Sequence, residues 1–127
     1  IEGGIVMAEA IRYWNALDHA AVNAHEDDLL SYGTSRLKEI EGMRIIGEAA
    51  HKVPVISFLI DGLHPYDVGF ILDKHGIAVR TGHHCAQPVM DFFEIPGTIR
   101  ASFAFYNTRA EIDRMIDALL VAKRMLS

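Results

Sequence analysis

Between Thr98 and Leu120 the apolar period of the chain changes from two to about three and a half. From Thr98 to Phe105, residues Ile99, Ala101, Phe103 and Phe105 alternate with Arg100, Ser102 and Ala104. That is the period of a strand with one buried face. Thr108-Arg109-Ala110-Glu111 then has the spacing of a capping box. Ile112, Met115, Ile116, Leu119 and Leu120 follow at i, i+3, i+4, i+7 and i+8, one face of a helix. A one-faced strand leading at once into a one-faced helix buries both by laying helix on sheet, which predicts a layered α+β domain.

The rest of the chain extends this pattern. Residues 5 to 17 read as a helix, with Ile5, Ala8, Ile11 and Ala16 near one face, Trp14 and Leu17 beside it, and Gly3-Gly4 as its opening turn. Residues 23 to 40 read as a longer helix, acidic in its first turns, basic in its last and ended by Gly42. Met43–Ile46 is a short strand candidate. Val53–Ile60 is a clear one, with Pro54 marking a strand start or an edge. His64-Pro65 opens a helix closed by Gly76. Residues 77 to 80 read as a strand, and Val89 to Phe93 as a short helix. The predicted order is α-α-β-β-α-β-α-β-α: a short sheet with helices against one face, introduced by helices suited to pack on something else.

At 127 residues the chain is long enough for one domain with a core. Its formal net charge of −5 and lack of a basic run argue against nucleic acid. No apolar stretch approaches the ~20 residues of a bilayer-spanning helix, and residues 1 to 4 lack the features of a signal peptide. A single cysteine permits no internal disulfide, which fits a reducing compartment. The absence of an initial methionine, with a helical pattern beginning almost at once, suggests a piece of a longer protein.

That cysteine lies in Arg80-Thr81-Gly82-His83-His84-Cys85-Ala86-Gln87-Pro88, a loop between a strand and a helix. Sulfur attacks as the thiolate, which nearby Arg80, His83, His84 or a helix N-terminus would favour. Three other readings stand beside it. Cys85 is a small buried hydrophobe, although its Gly, His and Gln neighbours suit an inert core position poorly. A zinc site needs ligand spacing that three consecutive residues, His83, His84 and Cys85, do not provide. A cysteine–histidine hydrolase needs a held base and an oxyanion hole, which nothing in the spacing assigns. Arg100, on an alternating strand, reads on its own as a solvated outward side chain.

The cysteine loop closely resembles that of the SufS-type (group II) cysteine desulfurases, also called selenocysteine lyases. The resemblance runs in order along the chain, through His64-Pro65-Tyr66-Asp67-Val68-Gly69, Asp73-Lys74-His75-Gly76-Ile77-Ala78-Val79 and Thr98-Ile99-Arg100-Ala101-Ser102 to Glu111-Ile112-Asp113. Gly3-Gly4-Ile5 also resembles the start of a late helix of that family's large domain. The resemblance implies the small C-terminal domain of a fold-type I pyridoxal-phosphate enzyme, with a mainly antiparallel sheet. Residues 1 to 20 would end the large domain and residues 21 to 127 would form the small one. It implies a cytoplasmic homodimer using pyridoxal 5'-phosphate to convert L-cysteine to L-alanine, or to act on L-selenocysteine. Sulfur would pass as a persulfide on Cys85 to a SufE- or SufU-type acceptor for iron–sulfur cluster assembly. By the same resemblance Arg100 would bind the substrate carboxylate, with Arg80, His83 and His84 setting the loop's electrostatics.

The family's Schiff-base lysine, in a Ser-x-His-Lys type motif upstream, has no counterpart among Lys38, Lys52, Lys74 and Lys123, and no glycine-rich phosphate cradle is present. The chain alone is therefore expected to be inactive and to hold no cofactor covalently. The alternative is a stand-alone, non-enzymatic persulfide relay through Cys85.

Overall fold

The computed structural model describes all 127 residues. In chain order the elements are α1 (Glu2–Asn15), α2 (His19–Lys38), β1 (Met43–Ile46), β2 (Val55–Ile60), α3 (Pro65–Lys74), β3 (Arg80–Gly82), α4 (Gln87–Phe93), β4 (Thr98–Ser102) and α5 (Arg109–Leu126). The four strands form one antiparallel sheet in the order β1-β2-β4-β3. The α+β architecture and the element order are those expected from the sequence.

One sheet face carries the core. Ile56 and Phe58 of β2 and Ile99 and Ala101 of β4 are buried with Leu29 and Leu37 of α2, Val68 and Leu72 of α3, and Ile112 and Leu119 of α5. The α2 stripe approaches closely because Gly33 has no side chain: a Cβ there would lie 3.1 Å from the Phe103 ring. α3 presses on β3 in the same way, since a Cβ at Gly69 would overlap the Thr81 methyl. The capping box of α5 is formed, with Glu111 N donating to Thr108 Oγ1 at 3.3 Å and Thr108 N donating to the Glu111 carboxylate at 2.8 Å. α2 and α5 are also joined at their rims. Arg109 pairs with Asp28, and Tyr32 and Arg36 both donate to Asp113. The Tyr32 hydroxyl is the main reason the Asp113 carboxyl lies below its ordinary range.

Several boundaries differ from expectation, and four of them have a local cause. α1 includes Gly3 and Gly4, because Gly4 N already bonds to Ile1 O at 3.1 Å. α2 begins four residues before Asn23, where the Asp18 carboxylate accepts from Ala20 N and Ala21 N at 3.0 and 3.2 Å. β3 occupies Arg80–Gly82 rather than residues 77 to 80, since only the later stretch lies opposite Thr98–Arg100. β4 stops at Ser102 instead of Phe105 because its partner runs out. Val55 pairs with Ser102, and beyond it Pro54 accepts from Phe103 N at 2.8 Å but has no N–H to return.

α1 is the exception to the packing. It buries no residue, and Ile5, Val6, Met7 and Ile11 are exposed. Its C-terminal end meets the domain through aromatic contacts, Tyr13 and Trp14 on Phe105 and Trp14 on His19.

Candidate functional site

The antiparallel register determines which residues share the sheet face opposite the core. Ile46, Ser57, Arg100 and Arg80 align in one row across all four strands. The two guanidinium-bearing residues therefore sit on adjacent strands at paired positions. In the neighbouring row lies Thr98, which is 1% exposed although polar.

The loop after β3 carries the cysteine. Gly82 leaves the strand at φ 108°, and His84 and Cys85 then adopt left-handed backbone at φ 55° and 59°. Two consecutive non-glycine residues in that region are uncommon, and such strain gathers at functional sites. Close backbone contact brings the loop to the start of β4: a Cβ on Gly97 would fall 2.8 Å from the Gly82 carbonyl carbon. α4 follows, with Pro88 in its first turn.

Each predicted loop residue has a distinct place. Cys85 is a free, exposed thiol, and Arg80 Nη2 donates towards its sulfur at 3.8 Å. Within this chain Cys85 is not part of the core. His83 Nδ1 accepts from Cys85 N at 3.1 Å, which bends the loop back on itself. His84 points the other way, with Nε2 hydrogen-bonded to Thr98 Oγ1 at 2.8 Å. Burial, and next the Arg100 charge, hold the His84 imidazole below its ordinary pKa and favour its neutral form. No group of three or more His, Cys, Asp or Glu side chains is arranged to hold a metal ion.

Arg100 is half-buried, and its Nε is fully enclosed without a hydrogen-bond partner; the same is true of His84 Nδ1. Most enclosed polar atoms in folded proteins are paired, so these two unpaired atoms, one on β4 and one in the cysteine loop, are exceptions. An arginine there suits a carboxylate, which its planar fork can bind at two points. Thr98 was not among the expected site residues. A threonine at a strand start carries no signal of its own, and its histidine partner is fourteen positions away.

The lysines lie elsewhere. Lys38 pairs with Glu48, Lys52 donates to Gly47 O, Lys74 lies over the Phe70 ring and Lys123 donates to Glu41 O. None of these contacts involves a residue of the Arg80–Arg100 row.

Residues 1–115 match the aminotransferase class-V family. The chain belongs to that family. Among the relatives of this class-V chain, a probable cysteine desulfurase of Xylella fastidiosa is 41% identical over 126 residues, covering 99% of this chain and 30% of the relative. One from Streptomyces coelicolor is 47% identical over 115 residues, covering 89% and 28%. Among solved structures, the cysteine desulfurase CsdA of Escherichia coli, in an S-sulfonic acid form, superposes with a TM-score of 0.85 at 29% identity, covering 93% of this chain and 29% of that one. An apo cysteine desulfurase from Thermococcus onnurineus gives 0.78 at 38% identity, covering 91% and 28%. The class-V chain thus spans about three-tenths of the length of these proteins and has the fold of the corresponding part.

Proposed function

We propose that this chain is the part of a cysteine desulfurase that supplies the sulfur-accepting thiol and the substrate-carboxylate clamp. The observation that carries the reading is the Arg80–Arg100 row, with an enclosed, unpartnered Arg100 Nε and an exposed Cys85 beside Arg80. Arg100 binds the α-carboxylate of L-cysteine, which orients the substrate sulfur towards the loop. The Cys85 thiolate forms an S–S bond to that sulfur as the substrate C–S bond breaks. The carbon keeps the electron pair and takes up a proton, so the products are L-alanine and a persulfide on Cys85. Arg80 donates towards the attacking sulfur from 3.8 Å.

Pyridoxal phosphate would supply the electron sink that lets the C–S bond break. Its anchor would lie in the remaining seven-tenths of a protein the size of the relatives. On this reading residues 1 to 20 belong to the larger domain, which accounts for the unpacked apolar side of α1. The whole enzyme would be a cytoplasmic homodimer passing sulfur to a SufE- or SufU-type acceptor for iron–sulfur assembly, and L-selenocysteine would fit the same clamp. A free-standing persulfide relay through Cys85 would leave Arg100 without a role.

The test is a chimera in which this chain replaces the matching segment of the Streptomyces coelicolor relative. It should release alanine from L-cysteine and gain one sulfur atom on Cys85 by mass spectrometry. Cys85→Ala should still bind the cofactor but form no persulfide. The isolated chain given pyridoxal phosphate and cysteine should make no alanine. Persulfide formation that survives Cys85→Ala, or alanine from the isolated chain that requires Cys85, would overturn the reading.

A further inference from the structure

Besides the backbone contact of Gly82 with Gly97, one side-chain hydrogen bond ties the cysteine loop to β4. His84 reaches Thr98, which is enclosed on the open face two residues before Arg100 and therefore on the same side of β4. The other polar side-chain contacts of the loop, Cys85 N to His83 Nδ1 and Arg80 to Cys85, do not reach β4. His84 accepts strained left-handed backbone to make its bond. The charged and titratable groups that act on its ring are Arg100 of β4, Arg80 of β3 and His83 of the loop. With two guanidinium groups among them, a protonated ring would be repelled, whereas a neutral ring can hold the Thr98 bond beside Arg100.

We propose that His84 is a positioning residue: bonded to Thr98, it latches the cysteine loop to the strand that carries Arg100 and so holds the thiol in register with the carboxylate clamp. This rests on the reading of Arg100 as the clamp. The latch sets where Cys85 sits, while Cys85 and Arg100 perform the chemistry.

The probe is a pair of alkylating reagents used on the full 127-residue chain. Iodoacetate and iodoacetamide both form a thioether with Cys85 and expel iodide, but only iodoacetate carries a carboxylate for Arg100. Their rate ratio at one pH and ionic strength reports thiol and clamp together. Arg100→Gln should lower the ratio by roughly two- to fivefold, the range of a partly screened charge pair. Thr98→Val and His84→Asn should each lower it by a similar factor, and Thr98→Ser should restore it. The double variant Thr98→Val/Arg100→Gln should fall no further than either single one. His84→Asn is the safeguard should Thr98→Val fail to fold, because asparagine tolerates left-handed backbone and the loop lies outside the core.

If Arg100→Gln lowers the ratio and both latch variants leave it unchanged, the clamp stands and the latch is overturned. If the latch variants lower it and Arg100→Gln does not, the thiol is not registered to Arg100, and both the clamp and this proposal fail. A ratio unchanged in every variant also removes both.

Discussion

On one face of the sheet, Ile56, Phe58, Ile99 and Ala101 lie under α2, α3 and α5 and are almost wholly withdrawn from water. On the other, Ser57, Arg100 and Arg80 share a row with no helix of the core over it, and an arginine and a histidine there each keep an enclosed polar atom unpaired. The same strands build both faces, residue by alternate residue. Stability comes from the first face, and the second keeps polar atoms that folding leaves unpaired. The two should therefore respond to substitution in opposite ways.

The largest effect belongs to the core face. Phe58 is fully buried at the centre of the sheet, and Phe58→Ala should lower unfolding stability by about 3–5 kcal/mol. Urea unfolding followed by circular dichroism measures it, and a loss below ~1 kcal/mol would mean that the core face does not carry the fold. One step out, Thr108 caps the helix that covers this face. Thr108→Ala should cost about 1 kcal/mol, within the usual range for a lost N-cap. A neutral result would show α5 held by packing alone.

The open face should behave differently. Arg100→Met removes a half-buried guanidinium with an unpaired Nε, and should leave stability unchanged or raise it by up to about 1 kcal/mol, since an unsatisfied buried donor is a cost. The same variant in the chimera should lose alanine production. A stability loss comparable to that of Phe58→Ala would make Arg100 structural and break the contrast between the faces.

The two faces also differed in how far the sequence revealed them. The core face is a pattern of period two or three and a half, and Ile99, Ala101, Ile112 and Leu119 could be assigned from periodicity because burial of a face repeats along the chain. Strand ends were less legible. Ile77-Ala78-Val79 has strand composition but faces no partner, and β4 stops where Pro54 has no donor to offer. Of the open face, Cys85 and Arg80 were visible as near neighbours in the loop. The pairing of Arg80 with Arg100 depends on register, and the bond from His84 to Thr98 depends on a fold-back. Neither leaves a local pattern. A carboxylate-binding Arg100 is what the family resemblance implies, while the unpaired Nε is a property of the structure alone.

The slightest effect expected is a pH dependence confined to the open face. The His84 pKa is lowered in the folded chain by burial first and by the Arg100 charge second. Above about pH 6.5, the ordinary histidine value, its ring is neutral whether the chain is folded or not, and its full contribution to stability is present. As pH falls through that value the unfolded chain takes up the proton first. The unfolded state then binds more protons than the folded one, so stability declines until pH passes the lowered folded value as well. Stability depends on pH through more than one group, so the useful quantity is a difference. Urea midpoints measured at about pH 7.5 and about pH 5.5 should fall further for the native chain than for His84→Asn, whose side chain does not titrate between them. Equal falls would mean that His84 is as free to protonate in the folded chain as in the unfolded one, and that the open face does not constrain it.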